Sequence, residues 1–203
     1  MAIIACDTGG GGEFKIVPSG NHVAVCNMVI DLGKQRIEYA GEAKTKHQIY
    51  IRWELPNERL EWTDKDGNDR EGPMTTGKIY TLSLHENATL RADLESWRGR
   101  RFTEDEAKGF DVAKLLGAPA MVSVIHNERN GKTYANVSGV AGLPKGMEKP
   151  GVENPLVIYD DEHLSVFETL PEWLRKKIEA QVIDQPAGSL QPADNFYDDD
   201  VPF

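Results

Sequence analysis

Cysteine is nearly missing from this sequence: Cys6 and Cys26 are the only two, with no Cys-x-x-Cys pair and only His22 nearby. A zinc site needs clustered ligands, so no metal site is expected on these cysteines. Cys26 reads as a small apolar strand residue. Long apolar runs are missing too. No stretch approaches the roughly 18 residues of a membrane helix, and Met1-Ala2-Ile3-Ile4-Ala5-Cys6-Asp7 lacks the basic start of a signal peptide. The expected location is the cytoplasm, with no membrane partner. Catalytic signatures are equally scarce. There is no nucleophile elbow and no His-Glu-x-x-His, and the glycines Gly9 to Gly12 are not followed by the Gly-Lys-Ser/Thr of a phosphate loop. Asp160-Asp161-Glu162-His163 reads as a solvated turn. The expectation is a protein that is not an enzyme and carries no cofactor and no metal.

A basic excess is also lacking, since the chain has a net charge of -10. That balance is uneven. Residues 1–149 hold 20 Lys+Arg against 21 Asp+Glu, whereas residues 150–203 hold 3 against 12. The acidity is concentrated in the last quarter, which leaves a near-neutral body free to carry a basic face.

What is present is mostly β. Asn21 to Leu32, with Val23, Val25, Cys26, Val29 and Ile30, is β-rich and is bounded by Pro18, Gly20 and Gly33, which predicts a first strand. Lys44 to Leu55 alternates strictly and predicts a second. Lys44, Lys46, Gln48, Tyr50 and Arg52 share one face; Thr45, His47, Ile49, Ile51, Trp53 and Leu55 share the other, which reads as core. Three cations around a tyrosine on a strand are what single-stranded nucleic acid binding uses: charges that follow phosphates, and a ring on which a base stacks. Pro56 is expected to end this strand. Asp64 to Asp69 is an Asp-Gly turn with Trp62 near its tip, where stacking on a base and packing under the loop are alternatives. Thr75 to Leu84 predicts a third strand carrying Lys78 and Tyr80; their register against the second is not readable, and for Tyr80 a core position is the alternative.

Asn87 is the expected cap of a helix with Leu90, Leu94 and Trp97 on its apolar stripe and Gly99 as its stop. Arg98, Arg100 and Arg101 then form the densest basic cluster, able to cap carbonyls or to reach phosphates. Thr103 with Glu106 reads as a capping box, and Asp111 as the cap of a further turn. Ala120 to Asn127 and Lys132 to Leu143 flank Asn130-Gly131, a strong hairpin signal, and Tyr134 adds a second candidate ring. Five strands with a helix between the third and fourth is the order of an OB-fold, a small barrel that binds oligonucleotides across strands two and three.

The expected fold is therefore mainly β: a lead-in over residues 1–20, an OB-fold barrel over 21–149, an extension over 150–183 and a disordered acidic tail over 184–203. In the extension, Thr169-Leu170-Pro171-Glu172 reads as a capping box before a docked helix with Trp173, Leu174, Ile178 and Val182 on its stripe. In the tail, Pro186, Gly188, Ser189 and Pro192 oppose compact structure. It ends in Asp198-Asp199-Asp200-Val201-Pro202-Phe203, a peptide on display whose last ring and carboxylate a basic apolar pocket could take together.

That ending resembles the C-terminal tail of bacterial single-stranded-DNA-binding proteins, an acidic run closed by isoleucine, proline and phenylalanine, with Val201 in the isoleucine's place. The resemblance implies recruitment of replication and repair proteins. The stretch Tyr80-Thr81-Leu82-Ser83-Leu84-His85, then Leu90 to Thr103 and Gly109-Phe110-Asp111, resembles a family of tailed-phage single-stranded-DNA-binding proteins with an OB-fold, over about residues 20 to 145. It implies a DNA ligand, roles in bacteriophage DNA replication and recombination, and a host-cell cytoplasmic location. The residues expected to bind DNA come instead from strand parity: Lys44, Lys46, Tyr50, Arg52, Trp62, Lys78, Tyr80 and Tyr134. The alternative is a protein-interaction adaptor whose barrel binds no DNA. Self-association is compatible with either.

Overall fold

The computed structural model of the chain describes residues 15–39, 42–64 and 66–182. The lead-in up to residue 14 and the tail peptide Asp198 to Phe203 lie outside them. Strands β1 (Gly20–Tyr39), β2 (Glu42–Thr63), β3 (Asp69–Thr81), β4 (Pro119–Arg129) and β5 (Lys132–Ala141) form one antiparallel ladder in the order β3-β2-β1-β4-β5. Following the directions round, β3 and β5 must run parallel, and they come alongside each other at a seam where the barrel nearly closes. Helix α1 (Thr89–Arg98) and the short α2 (Glu104–Lys108) lie between β3 and β4. This is the OB-like barrel expected of the strand order.

The interior is built by the alternation in β2. Ile49, Ile51, Trp53 and Leu55 are at most 1% exposed and pack with Ala24, Cys26 and Val29 of β1, Val122 and Val124 of β4, and Leu90, Leu94 and Trp97 of α1. Trp53 meets Trp97 with ring centroids 5.8 Å apart. Burial pushes the Cys26 thiol up to about 12, so it stays neutral as a core residue. Gly99 closes α1 with φ 68, a left-handed turn that a side chain would strain. The Thr103–Glu106 capping box, the Asp111 cap and the Asn130-Gly131 turn (φ 54 and 71) form as expected. Asn87 does not cap α1. The capping position falls on Ala88, which has no side chain to offer.

Strand β2 does not end at Pro56. It continues to Thr63 through a bulge: Leu55 pairs with Met74 and Arg59 with Pro73, so Pro56, Asn57 and Glu58 are extra on β2. The bulge accommodates a residue that has no N–H for the ladder, and β3 brings its own Pro73 to the same place. Beyond it the hairpin turn is held by Asp64, whose Oδ1 accepts the backbone N–H groups of Asp66 and Asn68.

The extension is fastened to the outside of the barrel. Glu54, fully buried on the outward face of β2, accepts the backbone N–H of Glu153 and of Asn154, both at 2.8 Å, and the Asn154 side-chain amide at 2.7 Å. Strand β6 (Val157–Tyr159) then pairs in parallel with Met28–Ile30, on the edge of β1 that β4 has left. Helix α3 (Glu172–Glu179) drops Leu174 and Ile178 onto Met28, Ile30 and Leu32, making a second small core outside the barrel. Each such side chain contributes ~1.5–3 kcal/mol. Gln35 donates to the Lys177 carbonyl at 2.9 Å and holds the far end of α3. Two expectations fail here. Thr169 does not cap α3, because its hydroxyl donates back to the Val166 carbonyl. Trp173 and Val182 are exposed instead of joining the apolar stripe, because Leu174 and Ile178 already fill the face that meets the barrel, and the residue before Leu174 is rotated about 100° away from it.

Candidate nucleic-acid interface

The register of the β ladder sorts the eight expected contact residues. Met28, Arg52 and Gly77 lie side by side across β1, β2 and β3, as do Ile30, Tyr50 and Ile79. Arg52 and Tyr50 thus share the outward face, as the alternation requires, with Ile49 and Ile51 inside.

Arg52, Trp62 and Tyr134 meet in one groove of about 590 Å³ at the β3/β5 seam, walled by Pro73 to Gly77 of β3 and Thr133 to Ala135 of β5. Trp62 is 47% exposed and Tyr134 48%, so each keeps a ring face in solvent. The sequence supports both positions. The Trp62 ring rests over Gly72, where a Cβ would come within 3.1 Å of it, and Tyr134 follows the tight Asn130-Gly131 turn at the start of β5. Arg52 is half-buried and aimed by its neighbour: its Nε donates to the Asn27 Oδ1 at 3.1 Å. Burial pulls its pKa below the usual arginine value, and the nearby Tyr50 and Glu54 oppose that shift; it remains a cation. Lys15, just before β1, adds a second cation and donates to the Arg59 carbonyl at 3.1 Å. No carboxylate is among the described residues that line this groove, although the chain as a whole is acidic.

The other five residues fall elsewhere. Lys46 and Lys78 line a second recess of about 420 Å³ at the opposite end of β2 and β3, beside the start of α1. Lys44 lies in the exposed β1–β2 arm, where its ammonium reaches Glu42 at 3.1 Å. Tyr50 is half-covered: it lies across Gly77, where a Cβ would run into its ring, and Trp173 of α3 meets it edge-on at 5.0 Å and 87°. Burial raises its phenol pKa.

Tyr80 and Lys78 are corrections. They pair with Ile49 and Ile51 and so share the interior parity. Tyr80 is 3% exposed and donates its hydroxyl to Asp93 of α1 at 2.8 Å; Lys78 donates to the same carboxylate at 2.8 Å and lies over the Tyr80 ring. Neither side chain stands on the outward face. The arginine cluster also resolves. Arg98 and Arg100 both bind Glu106, at 2.7 and 2.6 Å, and Arg98 stacks over Phe102, so these two serve the α1–α2 junction.

No known family model matches this chain, and no curated protein does. The reading of the site therefore rests on its own residues. Among the described residues no group of three His, Cys, Asp or Glu is placed to hold a metal ion, and no helix is long and apolar enough to cross a membrane. Asp160 to His163 forms a surface turn closed by His163 Nδ1 and Asp160 Oδ1 at 2.6 Å. Sequence reasoning missed Lys15, placed by the chain's entry into β1, and Gly77, whose absent side chain lets Tyr50 lie flat. The crowded stripe on α3 was the available signal that Trp173 stands apart.

Proposed function

We propose that this protein binds single-stranded DNA with little sequence preference, through the outward face of β2 and β3 and the seam groove beside it. The observation that carries this reading is the groove itself, in which Arg52 and Lys15 accompany two half-exposed rings, Trp62 and Tyr134, with no carboxylate among the described lining residues. Rings of this kind stack on any base, and the cations neutralise phosphates. A duplex keeps its bases stacked inside and offers the rings nothing.

The roles in phage DNA replication, recombination and repair follow only from the resemblance of the sequence to phage single-stranded-DNA-binding proteins. The recruiting role of Asp198 to Phe203 rests on sequence alone. In this reading the barrel coats the strand and the tail presents a docking peptide to replication or repair proteins.

Titration with polydeoxythymidine is expected to quench tryptophan emission, with affinity falling steeply as salt rises because phosphate contacts release counterions. Duplex of equal length should compete poorly. Equal affinity for duplex and single strand, or none for either, would reject the reading. Arg52→Glu is expected to abolish binding, whereas an adaptor that engages only proteins would keep its partner through that change.

A further inference from the structure

The chain has four tryptophans, and they divide evenly. Trp53 is fully buried and Trp97 is 9% exposed, while Trp62 and Trp173 are 47% and 48% exposed. Trp62 belongs to the seam groove. Trp173 has no part in the seat of α3, which Leu170, Leu174 and Ile178 make against β1. Its only ring contact among the described residues is the edge-on one with Tyr50, an outward residue of β2 that pairs with the 36% exposed Ile79 of β3. The second exposed indole thus stands on the outward side of the two strands whose seam end carries Trp62.

We propose that Trp173 is a second base-stacking station for single-stranded DNA, so that the extension forms one side of the binding face besides leading to the tail. The inference rests on the proposed function. Three observations favour a base as the occupant. The indole is contiguous with the outward β2–β3 face through Tyr50 and Ile79. It is held in place, because the extension is fastened at Glu54, at β6 and at Gln35, so ordering the ring on binding costs little. Lys177 follows it one turn later on α3, and Lys46 lies two residues before Gln48 on the same strand face as Tyr50. Along β3, from Arg70, the partner of Trp62, to Ile79, the partner of Tyr50, is on the order of 30 Å. A tetranucleotide at about 3.4 Å per stacked residue does not cover that span. A longer strand does, within the range of ~4–16 nucleotides that one OB-fold engages.

The test compares oligodeoxythymidines of four and twenty nucleotides on the full chain. Trp173→Ala should weaken the twenty-mer about five- to hundredfold, the range for one lost stacked base, and leave the tetranucleotide, which the seam groove holds, within about twofold. Trp173→Phe should restore most of the loss. In a Trp62→Phe background, where Trp173 is the one remaining exposed indole among the described residues, the twenty-mer should still quench emission. If Trp62→Ala weakens the twenty-mer and Trp173→Ala does not, the inference falls and the proposed function stands. An equal loss for both oligonucleotides, with a lowered melting temperature, would assign Trp173 a packing role and overturn it as well. If the unaltered protein binds neither oligonucleotide, the proposed function fails and the inference with it.

Discussion

The sealed interior of the barrel and its open seam carry the same residue classes to opposite ends. On the inward face Trp53 is sealed against Trp97, and inward-parity Lys78 and Tyr80 of the neighbouring β3 are bound to Asp93. At the β3/β5 seam Trp62 keeps half of its surface, and outward-facing Arg52 has one described side-chain bond, through Nε to Asn27. An aromatic or a cation is therefore no sign of a binding site by itself. What separates the two regions is whether a partner within the chain has already satisfied the group. Satisfied groups hold the barrel together, and groups left open are available to a ligand.

Breaking the inward face should have the largest effect. Trp53→Ala removes a fully buried indole from the centre of the barrel and is expected to cost ~3–5 kcal/mol, read as a lower urea midpoint. This approaches the whole stability of a domain this size, so DNA affinity should fall only through the loss of folded protein. Trp53→Phe should be far milder. It keeps most of the ring and removes an indole N–H that has no hydrogen-bond partner among the described residues. A Trp53→Ala variant as stable as the parent would mean that interior and seam have been assigned the wrong way round.

The same substitution at the seam should invert the outcome. Trp62→Ala is expected to change stability by no more than ~0.5 kcal/mol, as for an exposed site, and to weaken binding of a long oligothymidine by ~1–3 kcal/mol. Tyr134→Ala should act in the same direction by a smaller amount, since a phenol offers less stacking area than an indole. Stability and affinity measured on the three variants form a crossed pattern, and a loss of both together at Trp62 would erase the distinction.

How far the sequence alone reveals these faces depends on the distance over which each is decided. The inward alternation of Ile49, Ile51, Trp53 and Leu55 is local and was legible, as were the helix stripe of α1, the Asn130-Gly131 hairpin and the strand order that implies the barrel. The face of Lys78 and Tyr80 was not. It is set by where β3 starts against β2, and the three extra residues at Pro56 shift that register without any signal in β3 itself. The meeting of Trp62 with Tyr134 was also hidden, because strands distant in sequence come together only when the barrel closes. The placement of Glu54 was missed for a related reason. A carboxylate on a polar-looking strand face reads as solvated until a loop about 100 residues later brings three N–H donors to it.

The smallest expected effect tests the same rule on charge. Arg98 and Arg100 form the most basic stretch of the chain, yet both are engaged by Glu106, whose carboxyl is pushed down to about 2, first by the Arg100 hydrogen bond and then by the Thr103 backbone N–H, with Arg98 adding to them. A carboxyl whose pKa is depressed by folding stabilises the protein at pH values above its ordinary pKa, near 4.5, and loses that contribution as pH falls from there through about 2. Glu106→Gln should therefore be slightly less stable than the parent at pH 7, and the two should converge as the pH approaches 2. The gap should also shrink in high salt, because the carboxylate faces solvent and its ion pairs are screened. DNA affinity near neutral pH is the decisive readout. If these arginines serve the α1–α2 junction, releasing them by Glu106→Gln leaves oligothymidine binding unchanged. A gain in affinity would place Arg98 and Arg100 on the binding surface and extend the open groups from the seam to the end of α1.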